Sequence, residues 1–166
     1  MIRVVLTVLV AVALLAASMP ALESARTATT AEQLDAEADR VERAIAGVVS
    51  GSVAVRDRAL AARTTATVRA PRGVTAARID RLALADSDRG GEEEFVDEGG
   101  EPGDGVVLRY RIDGGPERSV SVVPRTLGAS VDVDGGPLEL RTSGESRVAF
   151  RFVDDGDPTV KIARVG

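Results

Sequence analysis

The chain opens on a nearly unbroken apolar run. Residues 4–17 contain a single polar side chain, Thr7, and no charge falls between Arg3 and Glu23. At a rise of 1.5 Å per residue, about 20 such residues cover the ~30 Å hydrocarbon core of a bilayer. After Pro20 the apolar positions thin out and take a helical period. Leu34, Ala38, Val41, Ile45 and Val48 recur at alternating steps of four and three, with Glu32, Asp35, Glu37, Asp39, Arg40, Glu42 and Arg43 outside the stripe. Thr30, followed three residues later by Gln33, has the form of a capping box and predicts a helix start. Gly47 and Gly51 weaken the helix towards its end. The stripe holds fewer than three clean heptads, so it predicts packing on the chain's own domain. A coiled coil with another chain is the second reading.

From about residue 64 the period falls to two. Residues 65–70 predict a short strand stopped by Pro71. Residues 74–85, with Ile79, Leu82 and Leu84, fit either a strand or a short helix. Residues 106–112 alternate Val106, Leu108, Tyr110 and Ile112 against Val107, Arg109 and Arg111. Asp113-Gly114-Gly115 is a hairpin-turn signal, and residues 119–123 supply the return strand. Strands follow at 131–133, 138–141, 147–153 and 159–164, parted by Asp134-Gly135-Gly136, Ser143-Gly144-Glu145 and the acidic stretch 154–157. Val148, Phe150 and Phe152 share one strand face and belong to a core. Short strands at regular spacing predict an antiparallel sheet or small sandwich.

The predicted fold class is therefore α+β. It comprises an anchor or signal segment (1–24), an amphipathic helix (28–58) and a β-rich domain (64–166). Within the last, residues 86–105 read as a mobile surface loop, because their charge and glycine leave too little apolar surface to order them.

The apolar run has two readings. A secretory signal needs a basic start, an apolar stretch of about 7–15 residues and a small-residue cleavage site. Arg3 and the chain amine supply the first, and Ala16-Ala17-Ser18 offers the last, with a cut before Met19. A retained single-pass anchor is the other reading, since the run continues to Leu22. Both place the N-terminus in the cytoplasm and export the rest, because positive charge stays inside.

Composition narrows the chemistry. Cysteine and histidine are absent, and Lys161 is the single lysine among 21 basic residues. Disulfides, thiolates and the Ser-His-Asp or Cys-His nucleophiles are excluded. A Ser-Lys device has no Ser-x-x-Lys motif to rest on, and no phosphate loop joins a strand to a helix. The four aromatics, Phe95, Tyr110, Phe150 and Phe152, are too few to build sugar-stacking platforms around paired carboxylates. Asp132, Asp134, Asp154, Asp155 and Asp157 crowd two turns as calcium ligands do, although neither turn has the spacing of an EF-hand. Tight turns use Asp and Gly in any case. No catalytic, cofactor-binding or metal-binding residue is assigned, and an enzyme is not expected.

Charge is uneven. Residues 86–104 hold nine carboxylates and one arginine, Arg89, a local charge of −8 within a net −5, which leaves the rest at +3. The near absence of lysine and the weight of Asp, Glu, Arg, Ala, Gly and Val are similar to the proteins of salt-loving archaea. In several-molar salt the Debye length falls below ~3 Å and phosphate affinity collapses, so the +3 body does not predict a nucleic-acid partner.

The order of segments resembles the type IV pilin and pseudopilin layout: a short leader, an apolar helix, a proline near its end, an amphipathic helix, then a β-domain. The resemblance implies an apolar helix that anchors the subunit and packs in a filament core, a kink near Pro20, and an outward-facing domain. Two departures are visible. Met1-Ile2-Arg3 offers no Gly or Ala peptidase site, and Thr7, Val8 and Leu9 stand where a glutamate is expected. The chain also resembles small haloarchaeal membrane proteins, some of which accompany pilus or secretion ATPases. Together these imply an accessory or minor pilin-like role, with membrane lipid as one partner and other proteins met through the apolar helix or the β-domain.

Overall fold

The structure is a computed structural model and describes residues 2–87, 105–123 and 128–165. Among the described residues one α-helix, α1 (Ile2–Ser50), is followed by eight strands. They are β1 (Ala62–Ala70), β2 (Ile79–Asp86), β3 (Val106–Ile112), β4 (Glu117–Ser121), β5 (Ser130–Val133), β6 (Leu138–Glu139), β7 (Gly144–Asp154) and β8 (Pro158–Arg164). They form two four-stranded sheets, ordered β1-β7-β8-β5 and β4-β3-β2-β6. The α+β class and the sandwich arrangement agree with the alternation in the sequence.

The helix differs from the expected two pieces. It runs 49 residues without interruption, about 73 Å at helical rise, with Pro20 inside it. Proline removes one backbone donor from the ladder, and Leu, Ala, Glu and Arg on either side are strong helix formers that carry the helix past it. Thr30 therefore caps nothing; it lies mid-helix and is buried. The helix stops at Ser50, short of residue 58, beside Gly47 and Gly51, where the Gly51 N–H donates to the Gly47 carbonyl at 3.1 Å.

The predicted stripe closes the core. Leu34, Ala38, Val41, Ile45 and Val48 are all buried, and they join Val68, Leu84, Leu108, Phe150, Phe152 and Ile162 in one cluster that draws on both sheets. The helix lies chiefly along β1 and also meets β7 and β4, so it covers the side where the edge strands of the two sheets would otherwise stand open. Burying a Val, Leu or Ile side chain is worth about 1.5–3 kcal/mol, so Leu34, Val41, Ile45 and Val48 together hold the helix on the sandwich.

Several strand predictions hold closely. β3 spans the predicted residues, and the ambiguous 74–85 segment resolves into β2, paired with β3 through Leu82↔Tyr110 and Leu84↔Leu108. Asp113 and Gly114 both take positive φ, 48° and 66°, as the turn between β3 and β4 requires for a right-twisted hairpin. Among the named strands one pairing is parallel: β5 joins β8, Val131 opposite Val160 and Val133 opposite Ile162. The turns at Asp134–Gly136 and around Gly144 send the chain from one sheet to the other and back, so β5 and β8 arrive side by side in the same direction. The base of the acidic loop is tied by two hydrogen bonds between Ser87 and Gly105, at 2.7 and 3.2 Å. The remainder of that loop, residues 88–104, lies outside the described residues.

Candidate membrane anchor and the surfaces beside it

α1 divides by exposure. Val4, Val5, Leu6, Val8, Leu9, Val10, Val12, Leu14, Leu15, Met19 and Leu22 all stand open, each more than half exposed. Among the described residues the first buried side chain is Thr30. Thr7 and Ser18 donate their hydroxyls to the carbonyls of Arg3 and Leu14, at 2.9 and 2.8 Å. The two hydroxyls of the apolar half are thus satisfied within the helix, as hydrocarbon demands of any polar group it surrounds. Among the described residues this is the one helix long and apolar enough to cross a membrane. The same length and apolarity suit a signal sequence.

The other half is fastened by polar contacts that the stripe does not reveal. The Thr30 hydroxyl oxygen accepts the Ala77 N–H at 2.8 Å, in a buried site. Glu37, which the sequence places outside the stripe, is buried; its Oε2 accepts the Arg69 N–H of β1 at 3.1 Å while Oε1 pairs with Arg40. β1 is an edge strand, so its outward amides lack a neighbouring strand, and the carboxylate supplies an acceptor to one of them. The signal that could have flagged these roles is only that Thr and Glu are acceptors; the donors come from segments 32 and 47 residues away.

Below Thr30 the helix and the sandwich part, leaving an open cleft of about 830 Å³. Glu23 and Arg26 line it from the helix; Arg78, Asp113 and Arg118 line it from the domain. Asp113 Oδ1 accepts the Arg78 N–H at 3.1 Å, Asp80 Oδ2 accepts the Gly114 N–H at 2.6 Å, and the Arg78 guanidinium pairs with Asp80 at 3.3 Å. These contacts fix the β3–β4 turn against the start of β2. Arg118 lies by the Tyr110 phenol and Asp35. Burial, then the Asp35 charge, pushes the Tyr110 phenol up, and burial with the Asp39 charge raises Asp35.

On the far face of the first sheet, Arg63 stands opposite Arg151, Arg151 opposite Lys161, and Lys161 opposite Asp132. Lys161 Nζ donates to Asp132 at 2.6 Å and lies 3.5 Å from Asp155. The hydrogen bond to Asp132 holds the ammonium above the ordinary lysine range, the opposite of what a neutral lysine base needs. Three of the five aspartates considered for calcium have other partners: Asp132 pairs with Lys161, Asp155 with Arg58 and Lys161, and Asp154 with Arg56 and the Gly156 N–H. Among the described residues no group of three or more acidic side chains is placed to share a metal ion.

A family model described as a domain of unknown function (DUF7311) matches residues 1–165, and the chain belongs to that family. The match covers the apolar helix and the sandwich together. No curated protein and no solved structure matches the chain.

Proposed function

We propose that this member of the DUF7311 family is a membrane-anchored, extracytoplasmic, non-enzymatic protein, an accessory or minor pilin-like component of a pilus- or secretion-like surface assembly. The observation that supports this reading is the division of α1: residues 4–22 are exposed and, Thr7 and Ser18 apart, apolar, while the stripe from Leu34 to Val48 is taken up by the protein's own core. Lateral contact with other apolar helices is thereby left to residues 4–22, while the sandwich is held about 12 Å beyond Leu22, at Thr30. The predicted orientation keeps Arg3 in the cytoplasm and the sandwich outside. Photo-cross-linkers placed at Val8 or Val12 in native membranes test the role. Adducts with other membrane-protein helices are expected; adducts with lipid alone would count against an assembly component.

One observation favours a second reading, an exported or tethered binding module whose signal is removed. Every buried residue described lies at Thr30 or later, so a cut before Met19 would leave the core whole.

A further inference from the structure

We infer that the cleft between the helix and the sandwich holds the phosphate of an anionic membrane lipid. The inference rests on the anchored reading of residues 4–22. Its first ground is depth. Arg26 lies four residues past Leu22, about 6 Å along the axis, and the polar layer on each side of a bilayer is roughly 5–7 Å thick. A helix that buries residues 4–22 therefore sets Arg26 at the level of the lipid phosphates.

The second ground is chemistry. Arg26, Arg78 and Arg118 converge on the cleft from α1, from the residue before β2 and from β4. The acids there are partly committed: Asp113 to the Arg78 backbone, and the neighbouring Asp80 to Gly114 and the Arg78 side chain. Glu23 faces the same cleft and disfavours an anion at its own depth, so the phosphate sits about 4.5 Å further along the helix, level with Arg26 and towards Arg118. Guanidinium groups bind phosphate oxygens in a two-point fork, a short-range contact that persists where long-range attraction is screened. The third ground is size and access. At about 830 Å³ the cleft exceeds a bare phosphate and admits a headgroup, and Pro20 and Ser24 line it at the end nearest the apolar half, along which acyl chains would run. A lipid held there joins anchor to domain and fixes the tilt of the sandwich over the membrane.

The test uses the full chain in nanodiscs of phosphatidylcholine with or without phosphatidylglycerol, followed by native mass spectrometry of the released protein. The expected result is retention of phosphatidylglycerol by the wild type, reduced to the phosphatidylcholine level in Arg26→Gln/Arg118→Gln and unchanged in the distant control Arg63→Gln. Equal retention of the two lipids by an inserted wild type, or equal loss in the control, overturns the site and leaves the anchor standing. Failure to enter either nanodisc overturns the anchor and the site with it. Inorganic phosphate added in excess should not displace the lipid; displacement with the same arginine dependence would assign the cleft to free phosphate instead.

Discussion

Residues 3–25 and residues 30–48 share one helix and meet opposite surroundings. The first set exposes its large apolar side chains all round, while the second buries a single stripe and, Glu37 apart, turns its charge outward. A helix apolar on every side suits hydrocarbon; a helix apolar on one side suits a protein surface. The same backbone thus suits two solvents, and residues 26–29 lie between the two sets. Substitutions in the two halves should therefore separate cleanly, membrane retention changing in one and domain stability in the other.

The largest effect is expected from Ile45→Ala. Ile45 is fully buried in the stripe, and such truncations cost about 2–5 kcal/mol. Denaturant unfolding in detergent, read by near-UV circular dichroism of Tyr110, should show that loss with membrane flotation unaltered. Val8→Asp should do the reverse. A carboxylate at the centre of a span costs about 2.5–3.5 kcal/mol, and at Val8, five residues short of the midpoint of 4–22, somewhat less, so flotation with vesicles should fall while the unfolding midpoint stays put. If Val8→Asp destabilised the sandwich as well, the two halves would not be independent.

Smaller effects sharpen the contact between them. Thr30→Val keeps the shape and removes the acceptor from the buried Ala77 N–H, at a cost of about 1–3 kcal/mol. The smallest effect concerns Asp35. Its folded pKa is raised, so the folded state binds the proton more tightly than the unfolded chain, and the ionised form opposes folding. Asp35→Asn should therefore be slightly more stable than wild type at neutral pH. The advantage should shrink as pH falls through the raised value towards the ordinary aspartate range. A pH series of unfolding midpoints checks the sign.

How far the sequence could be read follows the range of the interaction. The stripe from Leu34 to Val48 and the alternation of β3 were visible because a helix or strand buries one face at its own period. The unbroken helix was not. Thr30 and Gln33 have the spacing of a cap, yet the same hydroxyl oxygen serves equally to accept an amide from residue 77. Glu37 reads as a solvent-facing acid until an edge strand brings the Arg69 N–H to it. The parallel β5–β8 pair was hidden for a related reason: Gly and Asp mark where the chain turns, not which strand it next joins. The arginines of the cleft come from three separate segments, and only the fold brings them to line one cleft.

The central claim is that the apolar half of α1 remains attached and lies in a membrane. The intact mass of the native protein recovered from the membrane fraction tests it most directly. The account predicts a chain that retains residues 4–22, with at most Met1–Arg3 removed. A mature chain beginning near Met19 would contradict it, and would leave a released sandwich with no anchor.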